Sequence, residues 1–149
     1  MADRTERDVL NDLIVVCRDA ARGLEWAAEH ARDGELRRLF TDMAAERRSY
    51  VAQLLPYAHR LGGHSDASGT AAATLHRAWI AIKDRLASEH DQALLDEADR
   101  GEREALATYA AALDQLIPPD SRDVIELQLE GIRAAHGRLH AYGARLAAS

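Results

Sequence analysis

The chain has 149 residues, of which 47% are apolar and 30% charged, with a formal net charge of −6. A single domain of this size buries roughly 70% of the surface its unfolded chain exposes, so it needs no disulfide or metal staple. The acidic balance argues against a nucleic-acid partner, the lone Cys17 excludes an internal disulfide framework, and no stretch approaches the roughly 18 apolar residues of a membrane span.

The first helical pattern runs from about Arg4 to Arg32, with a seam through Leu10, Leu13, Cys17, Ala20, Leu24, Ala28 and Ala31 in steps of three and four. Asp33-Gly34 reads as a tight turn. A second helix follows from about Glu35 to Leu61, with a seam through Leu36, Leu39, Met43, Glu46, Tyr50, Leu54 and Tyr57. Pro56 lies inside it and is expected to kink it, because its ring meets the carbonyl of Ala52. Gly62-Gly63 ends it.

Residues 62–70 read as a loop, and a shorter helix is expected from about Ala71 to Ala87, with Leu75, Trp79, Ile82 and Leu86 on one face. Glu89-His90-Asp91 breaks it, and Asp91 suits an N-cap. The third long helix runs from about Gln92 to Leu116 with Leu95, Ala98, Glu102, Ala105, Tyr109 and Ala112 inward. Pro118 to Ser121 supplies a turn and a cap. The last helix spans about Arg122 to Leu146, with Ile125, Leu129, Ile132, His136 and Leu139 inward.

The connections predict the topology. Two short turns make two antiparallel hairpins. A seventeen-residue helix between them rises about 25 Å, enough to run back along the bundle. The fold class is therefore all-α: a ferritin-like four-helix bundle in one domain over residues 1–149, with one long crossover.

Three ionisable side chains, Glu46, Glu102 and His136, interrupt apolar seams. Glu46 lies about 19 Å from the first turn, and the other two about 25 Å from the second, at the opposite end. Those heights sum to about the length of the longest helices, so all three fall at one level. Buried charge must be paired or metal-bound. One reading is a metal site, for which carboxylates and imidazole suit iron, manganese or zinc. The other is a hydrogen-bonded polar layer, with Arg47 neutralising a carboxylate and His136 bonding the other. His76 on the crossover is read as seating that helix or meeting a partner, while His30, His59, His64 and His140 read as surface. His90, between Glu89 and Asp91, reads as solvated, and Cys17 as a buried small hydrophobe.

The stretches Leu10 to Ile14, Cys17-Arg18-Asp19, Ala45-Glu46-Arg47, Leu61-Gly62-Gly63, Leu75-His76-Arg77, Trp79-Ile80, Arg100-Gly101-Glu102, Tyr109, Leu116 to Pro119 and His136 span nearly the whole chain. In their order and spacing the chain resembles an uncharacterised bacterial four-helix-bundle family, a domain of unknown function within the ferritin-like superfamily. The resemblance implies the fold and no known activity. Active members of the wider superfamily bind two irons, with one Glu from each of two helices and Glu-x-x-His from each of the others. Here Ser49 follows Glu46 where His would stand, and Arg133 precedes His136 where Glu would stand. Relatives tend to carry glutamates where this chain has Ala21-Arg22.

Three functions follow as expectations. The first is a non-catalytic structural or interaction protein, with a link to stress by family analogy alone. The second is an iron- or manganese-binding protein with oxidoreductase or iron-handling activity, using Glu46, Glu102 and His136 as ligands. A third is a small-molecule binder at the crossover face around Trp79. The opening Met1 to Glu6 lacks an apolar core and a cleavage site, so a cytoplasmic location is expected. A homo-oligomer is left open, with Trp79 and Tyr109 as residues for a dimer face.

Overall fold

A computed structural model of the chain describes residues 4–62, 77–82, 85–115 and 117–149. The described residues form an all-α bundle of four long helices: α1 (Glu6–His30), α2 (Gly34–Arg60), α3 (His90–Leu113) and α4 (Pro119–Ala148). Of the expected crossover helix, residues 77–81 are helical and Arg85–Ala87 form a 3-10 turn. Leu75, His76 and the start of that helix lie outside the described residues. No helix is long and apolar enough to cross a membrane among the described residues.

Local chemistry sets the helix ends. Thr5 and Asp8 form a reciprocal capping box at the start of α1. Asp33 caps α2 by accepting from the Leu36 amide at 3.1 Å. Pro56 sits inside α2, and the helix continues past it to Arg60. Gly62 then takes φ +101°, a left-handed value that suits glycine at a helix end. At α4 the cap position is Pro118, with Pro119 at the first helical position, where a missing N–H is harmless. Asp91 is not the cap of α3, contrary to the sequence reading. The helix already begins at His90, and Glu89 holds the cap position without a side-chain bond.

Asp91 instead reaches the α1–α2 turn. Its two carboxylate oxygens accept from the Arg32 and Asp33 amides, at 2.9 and 3.0 Å. Tyr142, near the end of α4, donates to Asp33 at 2.8 Å. At the opposite end the Ser121 hydroxyl donates to Glu6 at 2.6 Å, joining the starts of α4 and α1. These contacts fix the directions. α2 starts from the end where α3 begins, so α2 and α3 run parallel. α1 packs on α2 and α3, and α4 on the same two helices, which makes α2 and α3 a diagonal pair.

The core is two apolar clusters. One holds Leu10, Leu13, Leu54, Ile125 and Ile132. The other holds Leu36, Phe40, Met43, Leu94 and Leu139. Trp79 and Tyr109 are buried within the chain at 6% and 0% exposure, so neither is available as the expected dimer face. Trp79 lies against Gly23, where any side chain would run into the indole. The space beside it is about 30 Å³, room for a water rather than a small organic molecule.

Replacing Asp91 by Ala removes a charged acceptor from two amides. Stability should fall by about 1–3 kcal/mol, and amide hydrogen exchange at Arg32 and Asp33 should accelerate. Asp91→Asn, which keeps one acceptor oxygen, should be milder. Unchanged exchange at both amides would show that this end is held by other contacts.

Candidate functional site

The polar residues of the core form a belt between the two apolar clusters. Its centre is Arg47 on α2, which is fully buried, rather than its neighbour Glu46, which is half-buried. Successive helix positions are turned by about 100°, so a seam drawn in steps of three and four passes equally near either residue. The Arg47 guanidinium crosses the diagonal of the bundle to Glu102 on α3 in a short ion pair. Its other terminal nitrogen lies 3.4 Å from Glu46. Its Nε has no hydrogen-bond partner among the described residues. Burial raises the pKa of Glu102 above the ordinary carboxylate range, and the adjacent Arg47 only partly offsets it.

The belt continues toward one end of the bundle. The Cys17 thiol on α1 lies 3.1 Å from the Tyr109 hydroxyl on α3. That hydroxyl donates to Gln128 on α4 at 2.6 Å. The Gln128 amide nitrogen donates back to α2, to the Tyr50 carbonyl at 3.2 Å and the Gln53 side chain at 3.0 Å. All four helices are thereby tied together. Burial pushes the Cys17 thiol up to about 11 and Tyr50, which is also hydrogen-bonded to Glu46, up to about 12. Both stay protonated at neutral pH, and Cys17 is a buried thiol as the sequence suggested. Gly131 on α4 faces Tyr50, and a side chain there would collide with the phenol.

His136 is placed differently. It lies one helical turn of α3 from Glu102, through its contact with Asp99. Its Nε2 lies 2.6 Å from Asp99 on α3. His140, read from the sequence as a surface residue, reaches the same Asp99 oxygen at 2.9 Å. The structure thus brings Glu46 and Glu102 together around Arg47, and puts His136 with Asp99 and His140 at the rim. Asp99 and His140 were missed as functional candidates. The legible signal was the pair of histidines four residues apart, which share a helix face. Burial raises Asp99, but the two imidazoles and Arg103 outweigh it, and its carboxyl is held below the usual range.

His90 is more engaged than the solvated residue expected. Its ring nitrogens contact the carbonyls of Leu86, at 3.1 Å, and His30. It therefore ties the end of the crossover to the end of α1.

A family model described as "Domain of unknown function (DUF2383)" matches residues 5–115. The chain belongs to that family. The match takes in α1 to α3 and ends before α4, so it includes Glu46, Arg47, Asp99 and Glu102 but neither His136 nor His140. No curated protein matches the chain.

In this DUF2383 member the Arg47–Glu102 pair can be separated from the rest of the belt by mutation. Arg47→Met leaves Glu102 buried without its counter-charge and should cost about 3–5 kcal/mol. Adding Glu102→Gln should recover part of that loss. The sign with pH follows from the raised carboxyl. It takes up its proton in the folded state before the unfolded one, so Arg47→Met should gain stability as pH falls from about 7 to about 5. The double variant lacks that carboxyl and should show no such gain. Urea midpoints of the two variants at both pH values check this, and equal responses would show that Glu102 is not the responsible group.

Proposed function

We propose that the chain is a ferritin-like bundle acting as a structural or interaction protein without catalysis. Its helix directions and single long crossover support the ferritin-like reading, since bundles of that type have one such connection. A bacterial origin, a cytoplasmic location and a link to stress belong to the same proposal.

The observation that carries the non-catalytic reading is the position of Arg47. A di-iron centre in such a bundle needs carboxylates and imidazoles converging on a shared space. Here a guanidinium lies between Glu46 and Glu102, bonded to both. The buried residues in the middle of α1, Cys17, Ala21, Gly23 and Leu24, include no carboxylate. His136 is turned toward Asp99. These residues do not fit a di-iron group. Both terminal nitrogens of Arg47 are turned to the Glu46 and Glu102 carboxylates, which supports a layer that specifies helix packing.

The iron- or manganese-handling alternative requires Glu46, Glu102 and His136 to hold the ion. Elemental analysis of protein purified without chelator, before and after anaerobic ferrous iron, separates the two readings. For a structural layer, Glu102→Gln changes stability and leaves metal content as in the wild type. Near-stoichiometric iron or manganese that disappears in Glu102→Gln would overturn the structural reading.

A further inference from the structure

Asp99, His136 and His140 form a cluster at the rim of the bundle, apart from the Arg47 layer. Their candidate ligand atoms all lie within 4.8 Å of one another. The two rings sit on one face of α4, with centroids 4.3 Å apart. Both Nε2 atoms face one oxygen of Asp99, Oδ1, from across the α3–α4 interface. The other oxygen, Oδ2, is held by Arg103 at 3.0 Å. The carboxylate is therefore oriented from behind, as the partners of metal-binding carboxylates usually are. Exposure rises from 19% at His136 and 24% at Asp99 to 58% at His140. The cluster is anchored on the core side and open on the other.

We propose that these three residues are the ligands of a divalent transition-metal ion, with zinc the ion that suits them best. Two imidazoles and one carboxylate are a borderline donor set favoured by zinc and its neighbours. In a tetrahedral site with bonds of about 2.0–2.2 Å, ligand atoms stand about 3.3 Å apart. The Asp99 contacts of 2.6 and 2.9 Å need to open by about 0.4–0.7 Å around an ion, and the two Nε2 atoms, within 4.8 Å of each other, need to converge on it. Each ring would carry its hydrogen on Nδ1 and give the Nε2 lone pair to the metal. Three protein ligands leave a fourth position facing solvent, where water binds. The site goes beyond the scaffold reading and does not depend on it, because none of its ligands bonds Arg47.

The test uses the full chain, stripped with chelator and dialysed, and titrated with zinc chloride by calorimetry. Cobalt(II) absorption serves as an independent report of coordination. One zinc per chain is expected. His140→Ala should weaken binding at least about tenfold, and Asp99→Asn combined with His140→Ala should abolish it together with the cobalt spectrum. His140 is largely exposed, so its variant should fold, and circular dichroism without metal checks that. His30→Ala, a histidine outside the cluster, should bind as the wild type does. Failure of the wild type to bind zinc would overturn the site. So would equal affinity in folded His140→Ala, which would locate the ion elsewhere. Glu102→Gln should leave zinc binding intact, so loss of this site and failure of the scaffold reading are separately visible.

Discussion

Burying a guanidinium at the centre of a helical bundle imposes conditions on everything around it. Arg47 has no exposure and cannot lose its charge, so a carboxylate must be held against it. Glu102 meets that condition from the diagonal helix, and Glu46 adds a longer contact from the next residue on α2. The pair constrains register. Sliding α3 by one turn would move Glu102 by about 5.4 Å, strand its buried charge and leave Arg47 with only the longer Glu46 contact. Apolar side chains on either side tolerate small slips far better, because hydrophobic contact is non-directional. The Cys17–Tyr109–Gln128 chain extends the same directional control to α1 and α4.

The ends of the bundle are fixed by a different device, carboxylates aimed at free backbone amides or hydroxyls of another helix. Asp91 makes the start of α3 a partner of the α1–α2 turn, and Tyr142 brings the end of α4 to the same place. This matters for topology, because α2 and α3 are parallel and no short turn can join them. In the described part of the connection, His90 docks its end on α1, and Trp79 lies on the bare backbone at Gly23. An antiparallel hairpin needs only its turn, whereas this connection needs such points of attachment.

Much of this was legible in the sequence, and the reason lies in helix geometry. Rise per residue is nearly constant, so counting from two turns put Glu46, Glu102 and His136 at one level; Arg47 contacts both glutamates, and His136 meets Asp99, one turn before Glu102. Rotation was less legible. A seam of three- and four-residue steps does not distinguish Glu46 from Arg47, or Ala135 from His136. In both pairs the neighbour left out of the seam is the fully buried one. Asp99 was invisible because a lone aspartate off the seam looks like any solvated residue. Asp91 was read as a cap because its type and place fit one, although its partners lie 58 and 59 residues away in sequence.

One turn of α3 carries two carboxylates with opposite fates. Asp99 and Glu102 are three residues apart and so about 60° apart around the helix. That rotation is enough to send Glu102 into the core and Asp99 to the rim. In the core, desolvation demands a permanent counter-charge, and Arg47 is locked in place as much as it locks. At the rim, water can cover Asp99 during an exchange of partners, so its contacts with two imidazoles are not obligatory. A carboxylate that can release hydrogen-bond donors without stranding its charge can also accept a cation in their place. The belt that gives the bundle its register therefore sets its interior charges against one another, while the same turn of helix places Asp99 beside two imidazoles at the rim, open to solvent.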